Sequence, residues 1–219
     1  MIPDQIFLVR HGESEGNVNG ELYKTVPDPK LRLTKKGREQ AKIAGERILS
    51  KVGACTWYQL REPQFRIYCS PWYRTRETAE EIQKAIQGAQ YREDPRICEQ
   101  QWGNYLREHY KKRIDKERDG FGTFFYRMPE GESGLDVYTR VASFTETLWR
   151  DFRGSCPSKV IIVSHGLTIR LFLMKWFHLT VEEYEELANP SNGSVIEMRM
   201  GTGWQAGKYE LVSKLRKKR

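Results

Sequence analysis

Short apolar runs alternate with amphipathic stretches along this chain, and that alternation predicts an α/β fold with a mainly parallel central sheet covered by helices on both faces. Three observations carry the prediction. IFLVR (6–10), FRIYC (65–69) and VIIVS (160–164) have the length of buried strands and end in polar or glycine residues. The segments after them are helix-like in period. The chain of 219 residues, 38% of them hydrophobic, suits one domain spanning 1–219.

Taken in order, Ile6–Arg10 reads as the first strand. Thr34 then opens a helix as its N-cap, with Gly37 at the third helical position and Ile43, Ile48 and Leu49 as the apolar stripe. Phe65–Cys69 is the second strand. Ser70-Pro71 starts a helix running to about Ile86, with the proline in its first turn. Tyr91–Ile97 reads as an extended segment broken by Pro95. Residues 104–134 look like a basic, aromatic, partly helical insertion over a site. Val137, Val141, Phe144, Leu148 and Phe152 mark the clearest helix. The VIIVS strand and a helix over HGLTIRLFLMKWF follow, and Ser194–Met200 and Lys208–Val212 close the chain as β segments.

Composition narrows the class. No apolar run reaches the roughly 18–20 residues of a bilayer span, and the first residues lack a signal-peptide pattern. Cys55, Cys69, Cys98 and Cys156 show no C-x-x-C spacing, so four reduced cysteines and a cytoplasmic location are expected. The net charge is +8, but five positive charges lie in the tail 214–219 and a further +3 between Arg107 and Arg127. The remainder is neutral, and no nucleic-acid recognition motif is present. The tail reads as a solvated terminus, with a weak contact to an anionic membrane surface as the alternative.

Two of the four histidines share one local context. His11 follows IFLVR and precedes Gly12; His165 follows VIIVS and precedes Gly166. In a parallel sheet the carboxyl ends of the strands line one crevice, where ligands bind. Glycine after each histidine lets the backbone approach a ligand closely, and the helix beyond points free N–H groups at an anion. Arg10 and Arg74 lie at strand ends as well, and their planar donor forks match phosphate oxygens. Arg76 competes with Arg74 for that role, and spacing does not separate them. Glu99 supplies a carboxyl group able to protonate a leaving oxygen and then activate water.

LVRHGES, LTKKG, SPWYRTRETA, EQQWGNY, EGES–DVYTR and VSHG, in that order, resemble the histidine phosphatase superfamily, in its phosphoglycerate mutase-like branch. The resemblance implies a three-layer α/β/α sandwich and metal-independent phosphoryl transfer without a cofactor. It implies His11 as the phosphorylated nucleophile, Arg10, Arg74 and His165 as phosphate ligands, Glu99 as proton donor, and Asn17 and Gly166 beside the phosphate. The expected partner is a small phosphorylated anion, with no nucleic acid or integral membrane contact, and the protein a monomer or homodimer.

Within that resemblance, phosphomonoester hydrolysis is the first expectation. A cofactor-dependent mutase primed by a bisphosphoglycerate is the second, and an idle phospho-ligand binding module the third. Glycolytic mutases usually carry asparagine where Leu167 stands and have a longer insertion, which favours hydrolysis here. Arg107, Lys111, Lys112 and Arg113 remain candidates to grip a carboxylate. Trp102, Tyr105, Tyr110, Phe121, Phe124, Phe125 and Tyr126 form either a substrate wall or the insertion's own small core.

Overall fold

The computed structural model describes residues 2–52, 65–103, 108–154, 157–202, 207–213, 215, 217 and 218. Expectations placed on Cys55, Tyr105, Arg107 and Cys156, on the Tyr110 side chain and on Lys214, Arg216 and Arg219 lie outside the described residues.

The strands are β1 (Gln5–Arg10), β2 (Phe65–Cys69), β3 (Gln90–Glu93), β4 (Lys159–Ser164), β5 (Val195–Met200) and β6 (Tyr209–Leu211). They form one sheet in the order β3-β2-β4-β1-β5-β6. The pairs β2–β3, β2–β4 and β1–β4 are parallel; β1–β5 and β5–β6 are antiparallel. The parallel part is therefore the four-strand side that carries the strand-end histidines, and an antiparallel hairpin extends the other edge.

The helices are α1 (Glu15–Val18), α2 (Lys35–Val52), α3 (Tyr73–Ala85), α4 (Glu108–Phe121), α5 (Gly134–Arg153), α6 (Gly166–Phe177) and α7 (Val181–Glu186). Successive side chains of a strand point to opposite faces, and β1 shows the consequence. Ile6 and Leu8 pack with Val141, Phe144 and Leu148 of α5 and Leu171 of α6. Phe7 and Val9 pack with Ala44 and Ile48 of α2 and Ala79 and Ile82 of α3. The sheet is thus sandwiched between two helical layers. Each such fully buried aliphatic or aromatic side chain contributes on the order of 1.5–3 kcal/mol relative to exposure.

Local expectations shift at a few points. Thr34 does cap α2, accepting the Gly37 N–H at 3.0 Å. The buried face of α2 is Gly37, Ala41, Ala44, Gly45 and Ile48, however, while Ile43 and Leu49 are exposed. Small residues prevail there because α2 lies close on α3: a Cβ at Gly45 would stand 3.0 Å from Ala85 Cβ. Pro71 lies outside the helix it was expected to open, since α3 begins at Tyr73 with Trp72 as its cap. Pro95 ends the extended segment early, and Pro95–Ile97 forms a 3-10 turn capped by the Asp94 side chain. The segment 20–30, which carries no apolar period, folds as two 3-10 turns, Gly20–Lys24 and Asp28–Lys30.

Candidate active site

The register of the central strands brings the two histidines together. Arg10 of β1 pairs with Ser164 of β4. The His11 N–H donates to the Ser164 carbonyl at 3.0 Å, and the Ser70 N–H donates to the Val163 carbonyl at 3.0 Å. Three adjacent parallel strands therefore end side by side at Ser70, His165 and His11. The two imidazole centroids are 5.2 Å apart, and His11 and His165 are 3% and 0% exposed.

Each ring has one nitrogen fixed by the protein. Nδ1 of His11 lies 2.7 Å from the Gly12 carbonyl oxygen. A carbonyl only accepts, so Nδ1 carries the proton and Nε2 keeps its lone pair. Nε2 of His165 lies 2.8 Å from Ser70 Oγ, and its Nδ1 has no hydrogen-bond partner in the protein. Burial, with Arg74 and Arg10 nearby, holds the His11 imidazole well below its ordinary range. Burial does the same to His165, helped by Arg74, His11, Arg10 and Arg140. Both rings are neutral near pH 7.

The loop after His11 is pressed onto the start of α2. A Cβ at Gly12 would collide with the Gly37 carbonyl oxygen, and one at Gly37 with the Glu13 carbonyl oxygen. The Gly12 N–H donates to Thr78 Oγ1 of α3 at 3.1 Å. Asn192 Nδ2 donates to the carbonyls of His11 and Gly12 and to Asn17 Oδ1, at 3.2, 3.3 and 3.0 Å. Asn17, exposed on α1, thus meets the loop beside His11. Gly166 begins α6 and packs close on Asn189, where a Cβ would stand 3.0 Å from its Cγ.

Two guanidinium groups flank the rings. Arg10 Nη1 donates to the Pro190 carbonyl at 2.6 Å, and its Nε is buried without a partner. Arg74 Nη1 donates to the Asp28 carbonyl at 2.9 Å and to Asp28 Oδ1 at 2.6 Å. Its guanidinium lies 4.5 Å over the Trp72 ring, whose own centroid is 4.9 Å from that of His165. Arg76 points away and pairs with Glu93 at 3.1 Å. Arg74 is therefore the arginine at the site.

Glu99 sits over the N-terminus of α6. Oε1 accepts from the Gln100 N–H at 3.1 Å, Thr168 Oγ1 at 3.1 Å and the Thr168 N–H at 3.3 Å; Oε2 accepts from the Leu167 N–H at 3.3 Å. Arg140 of α5 fixes the chain that carries Glu99. It donates to the carbonyls of Arg96, Cys98 and Glu99 and to both oxygens of Glu132. Outward from the histidines opens a cavity of about 460 Å³. Tyr23, Trp72 and Trp102 supply aromatic walls and Asp28, Glu99, Glu132 and Arg140 the charged ones. Burial raises the Asp28 carboxyl despite Arg74, and raises the Tyr23 phenol.

Several expected contributors stand elsewhere. Leu167 is 2% exposed and its side chain belongs to the core against α5; only its N–H faces the site. Arg113 is exposed on α4, bridges to Glu117 at 3.3 Å and does not line the cavity. Phe124 joins the main core, whereas Phe121 and Phe125 are exposed; Trp102 alone of the described insertion aromatics lines the cavity. Sequence reasoning assigned no role to Ser70, Asp28, Tyr23, Asn192 or Arg140. Arg140 stood within the EGES–DVYTR pattern, and Ser70 ended a strand as His11 and His165 do. Those were the available signals. Among the described residues no group of three His, Cys, Asp or Glu side chains is placed to hold a metal ion, and no helix is long and apolar enough to cross a membrane.

The sheet, with buried histidines and arginines at its carboxyl edge, defines an α/β protein with a pocket suited to a small anion. The family model of the histidine phosphatase superfamily (branch 1) matches residues 6–209, and the chain belongs to that superfamily. It is 43% identical to the phosphoglycerate mutase-like protein AT74 of Arabidopsis thaliana, over 97% of this chain and 69% of that protein. It is 30% identical to the broad-range acid phosphatase DET1 of Saccharomyces cerevisiae, over 90% of this chain and 86% of that one. A solved mycobacterial glucosyl-3-phosphoglycerate phosphatase complexed with VO3 shares the fold, with a TM-score of 0.73 at 21% identity over 97% of this chain and 99% of that one.

Proposed function

We propose that this enzyme is a metal-independent phosphomonoester phosphatase acting through a phosphohistidine at His11. The observation that carries the reading is the His11 ring itself. Its Nδ1–H is committed to the Gly12 carbonyl, burial keeps it neutral, and Nε2 is left as a nucleophile between two guanidinium groups. In the first half-reaction Nε2 attacks phosphorus in line and the P–O bond to the alcohol breaks. Glu99 gives its proton to the departing alkoxide. Arg10, Arg74 and His165 bear the charge on the equatorial oxygens, the task that metal ions perform in other phosphoryl-transfer enzymes. In the second half Glu99 takes a proton from water, the water oxygen attacks phosphorus and the P–N bond breaks. Inorganic phosphate leaves with His11 neutral and Glu99 protonated again.

Water as the final acceptor is favoured by the resemblance to an acid phosphatase over most of both chains. The absence of asparagine at Leu167 no longer bears on the choice, because that side chain lies in the core. Rapid quenching with a radiolabelled phosphomonoester tests the intermediate. Wild type should hold an acid-labile phosphoprotein and His11→Ala none. Equal labelling of the two would sink the mechanism. Turnover should survive chelators, and inorganic phosphate release from 3-phosphoglycerate should exceed its isomerisation when a bisphosphoglycerate primer is supplied.

A further inference from the structure

Two of the cations around the site are already paired before any substrate arrives. Arg74 bonds directly to Asp28 and Arg140 to Glu132, while Arg10 donates to the Pro190 carbonyl. A bound phosphate dianion therefore brings more negative charge than Arg10 alone offsets. The charged neighbours of His11 are Arg74 and Arg10. Arg140, which lines the outer cavity, already serves three backbone carbonyls and a carboxylate. Among the described residues no further Lys or Arg lines that cavity, whereas Glu132, Glu99 and Asp28 do, beside Tyr23, Trp72 and Trp102.

From this placement, and resting on the phosphatase reading above, we infer that the outer cavity selects phosphomonoesters whose alcohol bears no second negative charge, with Glu132 as a specificity-determining residue. A carboxylate or second phosphate on the alcohol meets the Glu132 and Asp28 carboxylates, and among the described residues no cation beyond Arg140 lines the cavity to receive it. A neutral polyol or an ammonium-bearing alcohol meets no such cost, and the ring faces of the wall suit the latter.

Glycerol 3-phosphate and 3-phosphoglycerate make the cleanest pair, since the second carries a carboxylate where the first has a hydroxymethyl group. We expect kcat/KM for glycerol 3-phosphate to exceed that for 3-phosphoglycerate by about tenfold or more, with phosphocholine at least equal to glycerol 3-phosphate. Raising salt should narrow the gap in the wild-type protein, and Glu132→Gln should narrow it at low salt. A loop merely loosened by the substitution would lower both substrates together and leave their ratio alone. Equal or better use of 3-phosphoglycerate, or a ratio insensitive to salt, overturns the inference. Equilibrium binding of the same two esters to His11→Ala reads the preference without turnover. A protein that binds them in the expected order yet hydrolyses no phosphomonoester would refute the phosphatase reading and leave the selectivity standing.

Discussion

The two ends of this site are built in different ways. The inner end is backbone-determined: three parallel strands finish in register, and Ser70, His165 and His11 follow them without a gap. Glycines at 12 and 37 permit the close approach of that loop to the start of α2, where a Cβ at either would collide with backbone. The outer end is assembled from 3-10 turns and loops far apart in sequence, with Tyr23 and Asp28 on two successive turns, Glu99, Gln101, Trp102 and Gly103 on a loop and Glu132 on another. Side-chain bonds hold it, chiefly those of Arg140. Chemistry common to a superfamily suits the first kind of construction, and selectivity suits the second, because loops vary without disturbing the sheet.

The largest effect separating the two ends is expected at His11. His11→Ala should lower kcat by a factor on the order of 10⁴–10⁶ for every phosphomonoester, as removal of a covalent nucleophile does elsewhere. Steady-state assays on two unrelated esters check this, and a loss confined to one of them would place His11 in recognition instead. Arg74→Ala comes next, at ~2–4 kcal/mol of transition-state stabilisation, or about 30- to 1000-fold, again regardless of the alcohol. Trp102→Ala, in the outer wall, should change the ratio between esters of large and small alcohols while leaving the rate on a small one nearly intact. If the two substitutions produced the same pattern, the division between inner and outer ends would collapse.

What the sequence showed divides along the same line. Strand-end histidines followed by glycine are visible in one dimension, because a buried strand is a contiguous apolar run and the turn after it needs glycine. Arg74 against Arg76 was not decidable, since residues two apart on a helix point to nearly opposite sides, and only the packed position of α3 shows which faces the sheet. The Ile43 and Leu49 expectation failed because a face of Ala and Gly buries more closely than large side chains do where two helices nearly touch. Leu167 was expected beside the substrate from its place after His165-Gly166, but its side chain turns into the core and only its N–H reaches Glu99. Asp28 and Tyr23 reach the site through 3-10 turns, and nothing local announces that; Glu132, also outside the regular elements, stood within the EGES pattern as Arg140 stood within DVYTR.

A smaller effect concerns stability. Both buried imidazoles have folded-state values well below 6.5, by burial first and the arginines second. Unfolded histidines take up protons as pH falls through about 6.5, while the folded ones stay neutral. The unfolded state then binds more protons, so stability is fully present above that pH and is lost as pH falls below it. The slope is about 1.4 kcal/mol per pH unit for each histidine. Asp28, whose carboxyl is raised by burial, acts in the opposite sense at lower pH, as the folded state retains its proton. Denaturant titrations at pH 7.5 and 5.5 should show the loss, and His165→Gln should reduce it by about half. A stability independent of pH across this range would mean that the rings are solvated, and the inner end less closed than its geometry indicates.

The smallest predicted effect falls on the boundary between the two ends. Asp28 belongs to the outer wall but holds an inner residue, for its carboxylate lies 2.6 Å from Arg74 Nη1 and its own carbonyl adds a second acceptor at 2.9 Å. A phosphoryl group that binds Arg74 must share that guanidinium with the carboxylate already there. Asp28→Asn keeps an oxygen acceptor and the backbone contact, so Arg74 stays in place, but it removes the competing charge. A charge-assisted hydrogen bond exceeds a neutral one by about 1 kcal/mol, and releasing that difference to the substrate should lower KM by roughly fivefold. The inhibition constant of inorganic phosphate should fall by a similar factor, since phosphate makes the same contact without any alcohol. The value of kcat should move less than KM, because the contact is regained equally in the ground and transition states. A rise in KM together with a fall in kcat would show that the Asp28 charge orients Arg74 for reaction instead of competing for it, and Asp28 would then belong with the inner end.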